Sequence, residues 1–142
     1  MSLLDASSIF EALRTLSLKP LEGASTLDLA RYEVGNAIWK HGNILHTLSQ
    51  EESKIMIEEA SRLFSLLDIA DISRGEAAVL DLAGSLKTTF YDASYLHVAK
   101  EMKVILVTED SQLAEKAHDL GLKTHRLAAF YRGPVRDESP AV

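Results

Sequence analysis

The chain of 142 residues contains no cysteine. That excludes disulfides, thiolate zinc sites and thiol nucleophiles together, and it fits the cytoplasmic location expected for the protein. Metal chemistry would have to use oxygen or imidazole ligands. No apolar run approaches the roughly 18 residues that cross a bilayer, so no membrane span is expected. The first residues, MSLLDASSIFEALRTL, have no basic n-region and carry Asp5 inside the first apolar run, which is not the pattern of a secretory signal. Basic residues are in deficit: 15 Lys and Arg against 21 Asp and Glu give a net charge of −6, which argues against purely electrostatic wrapping of nucleic acid. It does not exclude a metal-bridged phosphate substrate, because a divalent cation held by clustered carboxylates inverts the local sign. Aromatic content is 6%, with Trp39 the single tryptophan, so core or interface roles are expected for Trp39 and the tyrosines before base stacking.

Several catalytic and binding motifs are absent too. There is no GxGxxG or GxxxxGK[ST] for nucleotide phosphates, no HExxH for zinc and no GxSxG nucleophile elbow. His41, His46, His97, His118 and His125 are scattered without an i, i+4 pair and read as surface or structural residues. Arg14, Lys19, Arg31, Lys40, Arg74, Lys87 and Lys100 are not clustered and read as solvated surface.

What remains is an ordinary globular composition, 46% hydrophobic and 25% charged, at a length that buries on the order of 68% of the unfolded surface in one domain. Short β-like runs alternate with helical patterns, the signature of a parallel sheet covered by helices. A three-residue strand is expected before Asp5, then a helix to about residue 16 opened by a capping box of Ser8 and Glu11. A weak strand at 24–27 precedes a helix over 28–40, and Ser49 with Glu52 caps the next, whose Met56, Ala60, Leu63, Phe64 and Leu67 keep helical spacing. Residues 67–72 read as a short extended segment, and Ser73 with Glu76 as the cap of a helix to about residue 86. A helix over 92–100 leads into the best strand, 104–107, then a helix ending at Gly121 and a last strand at 123–127. The domain is expected over 1–131, with 132–142 as a flexible or partner-contacting tail.

Acidic residues fall at the ends of these elements. Asp5 follows the first strand, Asp110 the strongest one, and Asp92 opens a helix; each alone is adequately explained as a cap or a helix-dipole partner. Glu33, in RYEVGNAIWK, is harder to place on a solvated face, since it borders the apolar stripe of Ala30, Val34 and Ala37. An inward Glu needs partners. Hard oxygen ligands of this kind suit Mg²⁺ or Mn²⁺.

LLDAS at 3–7, Glu33 to Asn36 as E-x-x-N, YDASYLHVA at 91–99 and LVTED at 106–110 resemble, in order, the motif regions of PIN domains, and in particular the VapC-like toxins of prokaryotic type II toxin–antitoxin systems. The resemblance implies a three-layer α/β/α fold with a short, mostly parallel sheet. It implies that Asp5, Glu33, Asp92 and Asp110 form the acidic, metal-holding quartet of a Mg²⁺- or Mn²⁺-dependent endoribonuclease, with Ser7, Asn36 and Thr108 supporting them. It implies a homodimer restrained by a VapB-like antitoxin. A housekeeping RNA-processing nuclease and a non-catalytic RNA- or protein-binding module share the fold. Glu109 competes with Asp110, but alternation along an extended chain turns it away if Asp110 points in. Two other α/β phosphate-handling families each want an Asp that is missing, one where Ser7 stands and one at a mid-chain strand end.

Overall fold

The computed structural model describes residues 1–15, 18 and 21–131; the expected tail at 132–142 and the expected helix end at residue 16 lie outside the described residues. Five short strands, β1 (Ser2–Leu4), β2 (Ser25–Leu27), β3 (Asp68–Ala70), β4 (Ile105–Val107) and β5 (Thr124–His125), form one sheet in the order β3-β2-β1-β4-β5. Every pairing is parallel; Leu3 sits opposite Ser25 on one side and Leu106 on the other. Consecutive residues of the central strands are buried, Leu3 and Leu4 as well as Leu106 and Val107, which is what a parallel sheet covered on both faces requires.

The helices are α1 (Ala6–Thr15), α2 (Leu29–Asn43), α3 (Gln50–Phe64), α4 (Glu76–Leu86), α5 (Phe90–Met102), α6 (Ser111–Asp119) and α7 (Leu127–Tyr131). The path from β1 through β2 to β3 runs outward in one direction, and the path from β3 to β4 and β5 returns in the other. Right-handed crossovers therefore put the two sets of helices on opposite faces and produce the three-layer architecture. Helices α1, α2 and α3 pack against one another, whereas α4 packs on α5, which lies against β1 and β4. The strand order reverses between β1 and β4, and a sheet of this class opens a crevice at that point, beyond the carboxyl ends of the strands.

Local expectations fared unevenly. The Ser49–Glu52 capping box is formed, with both reciprocal bonds present, and Gly121 ends the turn after α6 at φ +75°. The Ser8–Glu11 box is not formed. Helix α1 begins earlier, the Ser8 amide donates to Asp5 Oδ1 at 2.9 Å, and Glu11 pairs with Arg14 instead. The Ser73–Glu76 box fails as well, because Ser73 lies at φ 56° in the turn and Gly75 precedes the helix. Any side chain on Gly75 would meet the ring of His97 and the carbonyl of Ile72. The last strand is only Thr124–His125, and the chain then turns into the short α7, which has too few residues for a readable period. No described helix is long and apolar enough to cross a membrane.

Candidate active site

Asp5 leaves the end of β1 with its own amide bonded to the carbonyl of Val107 on β4, at the point where the strand order reverses. Its carboxylate is 4% exposed and takes three donors: the Ser7 hydroxyl, the Ser8 amide and the Thr108 hydroxyl, the last being the shortest bond of the set. The two hydroxyls are oriented by the next loop. The Glu109 amide donates to Ser7 Oγ at 2.9 Å and the Asp110 amide to Thr108 Oγ1 at 3.0 Å. Each oxygen then accepts a fixed N–H, which leaves its proton to donate, and the two hydroxyls also lie 3.2 Å apart. Burial raises the Asp5 pKa, while the bonds from Thr108, Ser8 and Ser7 oppose the rise.

Glu33 projects from α2 and accepts the hydroxyl of Tyr95 at 2.7 Å. Tyr95 is 1% exposed, and its oxygen also faces the Ala6 backbone, so it braces Glu33 against the start of α1. Partial burial raises the Glu33 pKa first; the Tyr95 bond opposes it, and the charges of Asp92 and Asp5 add to it. Tyr95 itself is held protonated far above its ordinary range by burial and by Glu33, which keeps it a donor. Sequence reasoning passed over Tyr95 as a core aromatic. The available signal was helical spacing: it lies one turn after Asp92, so both face the same way.

Asp92 is not a cap. Thr89 opens α5 and accepts the Asp92 amide at 3.0 Å, which leaves the Asp92 carboxylate half-buried with one long contact, 3.4 Å, from Thr88 Oγ1. Burial raises its pKa, the nearby Asp110 charge adds to that, and Thr88 and Lys116 oppose it. Asp110 does cap: Oδ1 accepts the amides of Gln112 and Leu113 at the start of α6. Glu109 points elsewhere, accepting the Leu127 amide at 2.7 Å and facing Arg126, so the alternation expected of the two neighbouring carboxylates is present. Asn36 lies exposed one turn beyond Glu33.

The four acidic residues form a chain of electrostatic neighbours, Asp5 to Glu33, Glu33 to Asp92 and Asp92 to Asp110. Among the described residues, no three His, Asp or Glu side chains converge closely enough to cage a metal ion. That donor set still fits Mg²⁺, which keeps several waters and takes only one or two carboxylates directly. The raised pKa values have burial as their first cause, with neighbouring carboxylate charge adding to it at Glu33 and Asp92.

No family model matches the chain. Individual relatives do. It is 38% identical over 91 residues to ribonuclease VapC3 of Pyrobaculum aerophilum, covering 64% of this chain and 69% of that one. It is 32% identical over 132 residues to exonuclease VapC9 of the same organism, covering 89% and 96%. The crystal structure of PAE2754 from Pyrobaculum aerophilum superposes with a TM-score of 0.74 at 26% identity, over 92% of this chain and 94% of that one. With the parallel sheet, the strand-order reversal at Asp5 and these relatives, the chain belongs to the VapC-like branch of the PIN-domain family.

Proposed function

We propose that the protein is a divalent-metal-dependent endoribonuclease, the toxin of a toxin–antitoxin pair. The observation that carries this reading is the alignment of Asp5, Glu33, Asp92 and Asp110 as electrostatic neighbours around the topological switch point, one of them buried among oriented donors. A pure binding module gains nothing by crowding carboxylates whose charged forms are disfavoured there. The names of the relatives, ribonuclease and exonuclease, agree with hydrolysis of a nucleic-acid backbone.

Asp5, Glu33, Asp92 and Asp110 would hold Mg²⁺ or Mn²⁺, which when bound supplies Lewis-acid polarisation of the phosphodiester and of a water. Ser7 and Thr108 fix the Asp5 carboxylate, and Tyr95 fixes Glu33. Asp92 is the least encumbered of the set, free to turn toward metal or phosphate. Asp110 shares Oδ1 with two helix amides, so its second oxygen is the one to face a ligand. Asn36, exposed one turn from Glu33, would contact the substrate. RNA as substrate, a VapB-like antitoxin, a homodimer and a cytoplasmic setting complete the reading.

The test is cleavage of RNA with added Mg²⁺ or Mn²⁺. Asp92→Asn should lower the rate by about 10³-fold, in line with the several kcal/mol that metal-assisted stabilisation supplies, with the fold retained. Cleavage that survives chelation, or full activity in Asp92→Asn, would overturn the assignment. A circular RNA separates the modes, since an endonuclease opens it and an exonuclease leaves it intact. Growth arrest on expression, relieved by the product of an adjacent gene, is the expected sign of the toxin.

A further inference from the structure

The amino edge of the sheet, opposite the acidic quartet, holds a cavity of about 510 Å³ at the starts of β4 and β5. Lys100 and Lys103, from the end of α5, and Lys123, just before β5, line it. Val104, Ile105 and Leu122 add apolar surface, and Met1 and Gly121 complete the wall. No carboxylate is among these residues, although Glu101 and Asp119 stand close by in the chain. Its volume lies within the range of small-ligand pockets.

Three lysines gathered without an acid are unexpected in a chain of net charge −6, since surfaces normally intersperse the two signs. Among the described residues none of the three is ion-paired, so no protein charge offsets them. The helix dipole accounts for part of the placement, because Lys100 and Lys103 end α5. It does not account for the backbone of Lys103. That residue is the C-cap at φ 55°, a left-handed conformation in which glycine is the unstrained choice. Across the same cavity the chain does use glycine in that conformation, Gly121 at φ +75° after α6. The carbonyls of Ala99 and Lys100 are taken by the amides of Lys103 and Val104, so they do not stand as free acceptors against an anion.

We infer that this cavity binds a nucleoside di- or triphosphate, with the phosphate chain on Lys100, Lys103 and Lys123 and the base against Val104, Ile105 and Leu122. A lysine ammonium serves phosphate as a point charge on a flexible stem, which requires no Gly-rich loop. Two or three phosphates carry enough charge to answer three ammoniums, and a single carboxylate does not. A strand held beyond the carboxyl ends of the sheet would have to round the sheet to arrive here, so a free nucleotide fits better than RNA. The inference is independent of the nuclease reading.

The experiment is a calorimetric titration of the full chain with ADP, in chelator and without divalent metal, so that the acidic quartet at the other edge repels phosphate. ADP should bind, pyrophosphate should bind more weakly, and adenosine should not bind. Lys103→Gly suits the left-handed turn, so it should fold at least as stably and yet bind ADP about fivefold more weakly, the share of one exposed charge pairing. Lys87→Gly removes the other lysine that caps a helix at positive φ and should leave the affinity unchanged. With Lys100→Gln and Lys123→Gln added to Lys103→Gly, the loss should reach about a hundredfold. ADP binding no tighter than adenosine, an unaltered affinity in Lys103→Gly, or an equal loss in Lys87→Gly would overturn the site. Displacement of bound ADP by a single-stranded RNA without terminal phosphates would overturn the nucleotide assignment and mark a strand contact instead.

Discussion

Asp5 and Asp92 have the same side chain and both border Glu33, yet they are built into the protein in opposite ways. Asp5 is buried, receives three donors and is tied to two loops through hydroxyls that each accept a backbone N–H. Asp92 is half-buried and holds a single contact of 3.4 Å. The difference teaches that the acidic set has fixed members and one adjustable member, Asp92. In the proposed metal site the buried Asp5 would set where a cation sits, and Asp92 would turn toward it without breaking a bond the fold needs.

The largest effect expected from that contrast is at Thr108. Thr108→Val keeps the shape but removes a donor to Asp5 and leaves the Asp110 amide without its acceptor. Orphaning buried groups costs about 1–3 kcal/mol, a fall in melting temperature of roughly 3–10 °C at this size, and loss of the orienting bond should weaken Mn²⁺ binding by about 10- to 100-fold. Thr88→Val, the matching change beside Asp92, should move the melting temperature by less than about 2 °C. Equal penalties at the two threonines would dissolve the distinction.

Tyr95→Phe comes next and asks on which side Glu33 belongs. The substitution deletes one hydroxyl from a fully buried ring and frees Glu33 to rotate. The stability change should be about 1 kcal/mol, the usual net worth of one hydrogen bond, while Mn²⁺ affinity, read by paramagnetic resonance of the free ion, should fall about tenfold. An unchanged affinity would show that Tyr95 serves packing alone.

Much of this was legible in the amino-acid sequence, and the reasons for the misses are physical. The parallel sheet could be read because ILV and the two leucines of SLL are apolar in consecutive positions and the helices between them keep their period. Glu33 was legible as an inward acid because an apolar stripe has a border. The caps were misread where two candidate cap residues stood close together: Ser8 lost to Asp5, and Asp92 lost to Thr89, since which residue caps depends on where the preceding strand or turn releases the chain. Helix α7 was missed because its first amide is satisfied by Glu109, 18 residues earlier in the chain. Tyr95 acquires meaning only through a partner distant in sequence, so no local pattern announces it.

The smallest expected effect is a pH dependence. Asp5, Glu33 and Asp92 all have pKa values raised above the ordinary 3.8 and 4.5, with burial the first cause in each. As pH climbs from those ordinary values, the unfolded chain loses its protons first while the folded chain still holds them. Stability from these groups must therefore fall with rising pH until the folded carboxyls have also ionised. Asn at position 92 carries no such penalty, so metal-free Asp92→Asn should gain in melting temperature relative to the parent as pH rises above the ordinary carboxylate value of 3.8. The gain should be modest, because Asp92 is only half-buried and solvent screens it. Mn²⁺ should reverse the trend in the parent: it binds the ionised carboxylates, so its stabilisation grows with pH and the gap between metal-loaded and metal-free melting curves widens. A parent that gains on Asp92→Asn as pH rises without metal would mean that Asp92 is held in its charged form by the fold, and the adjustable member would have to be redrawn as another fixed one.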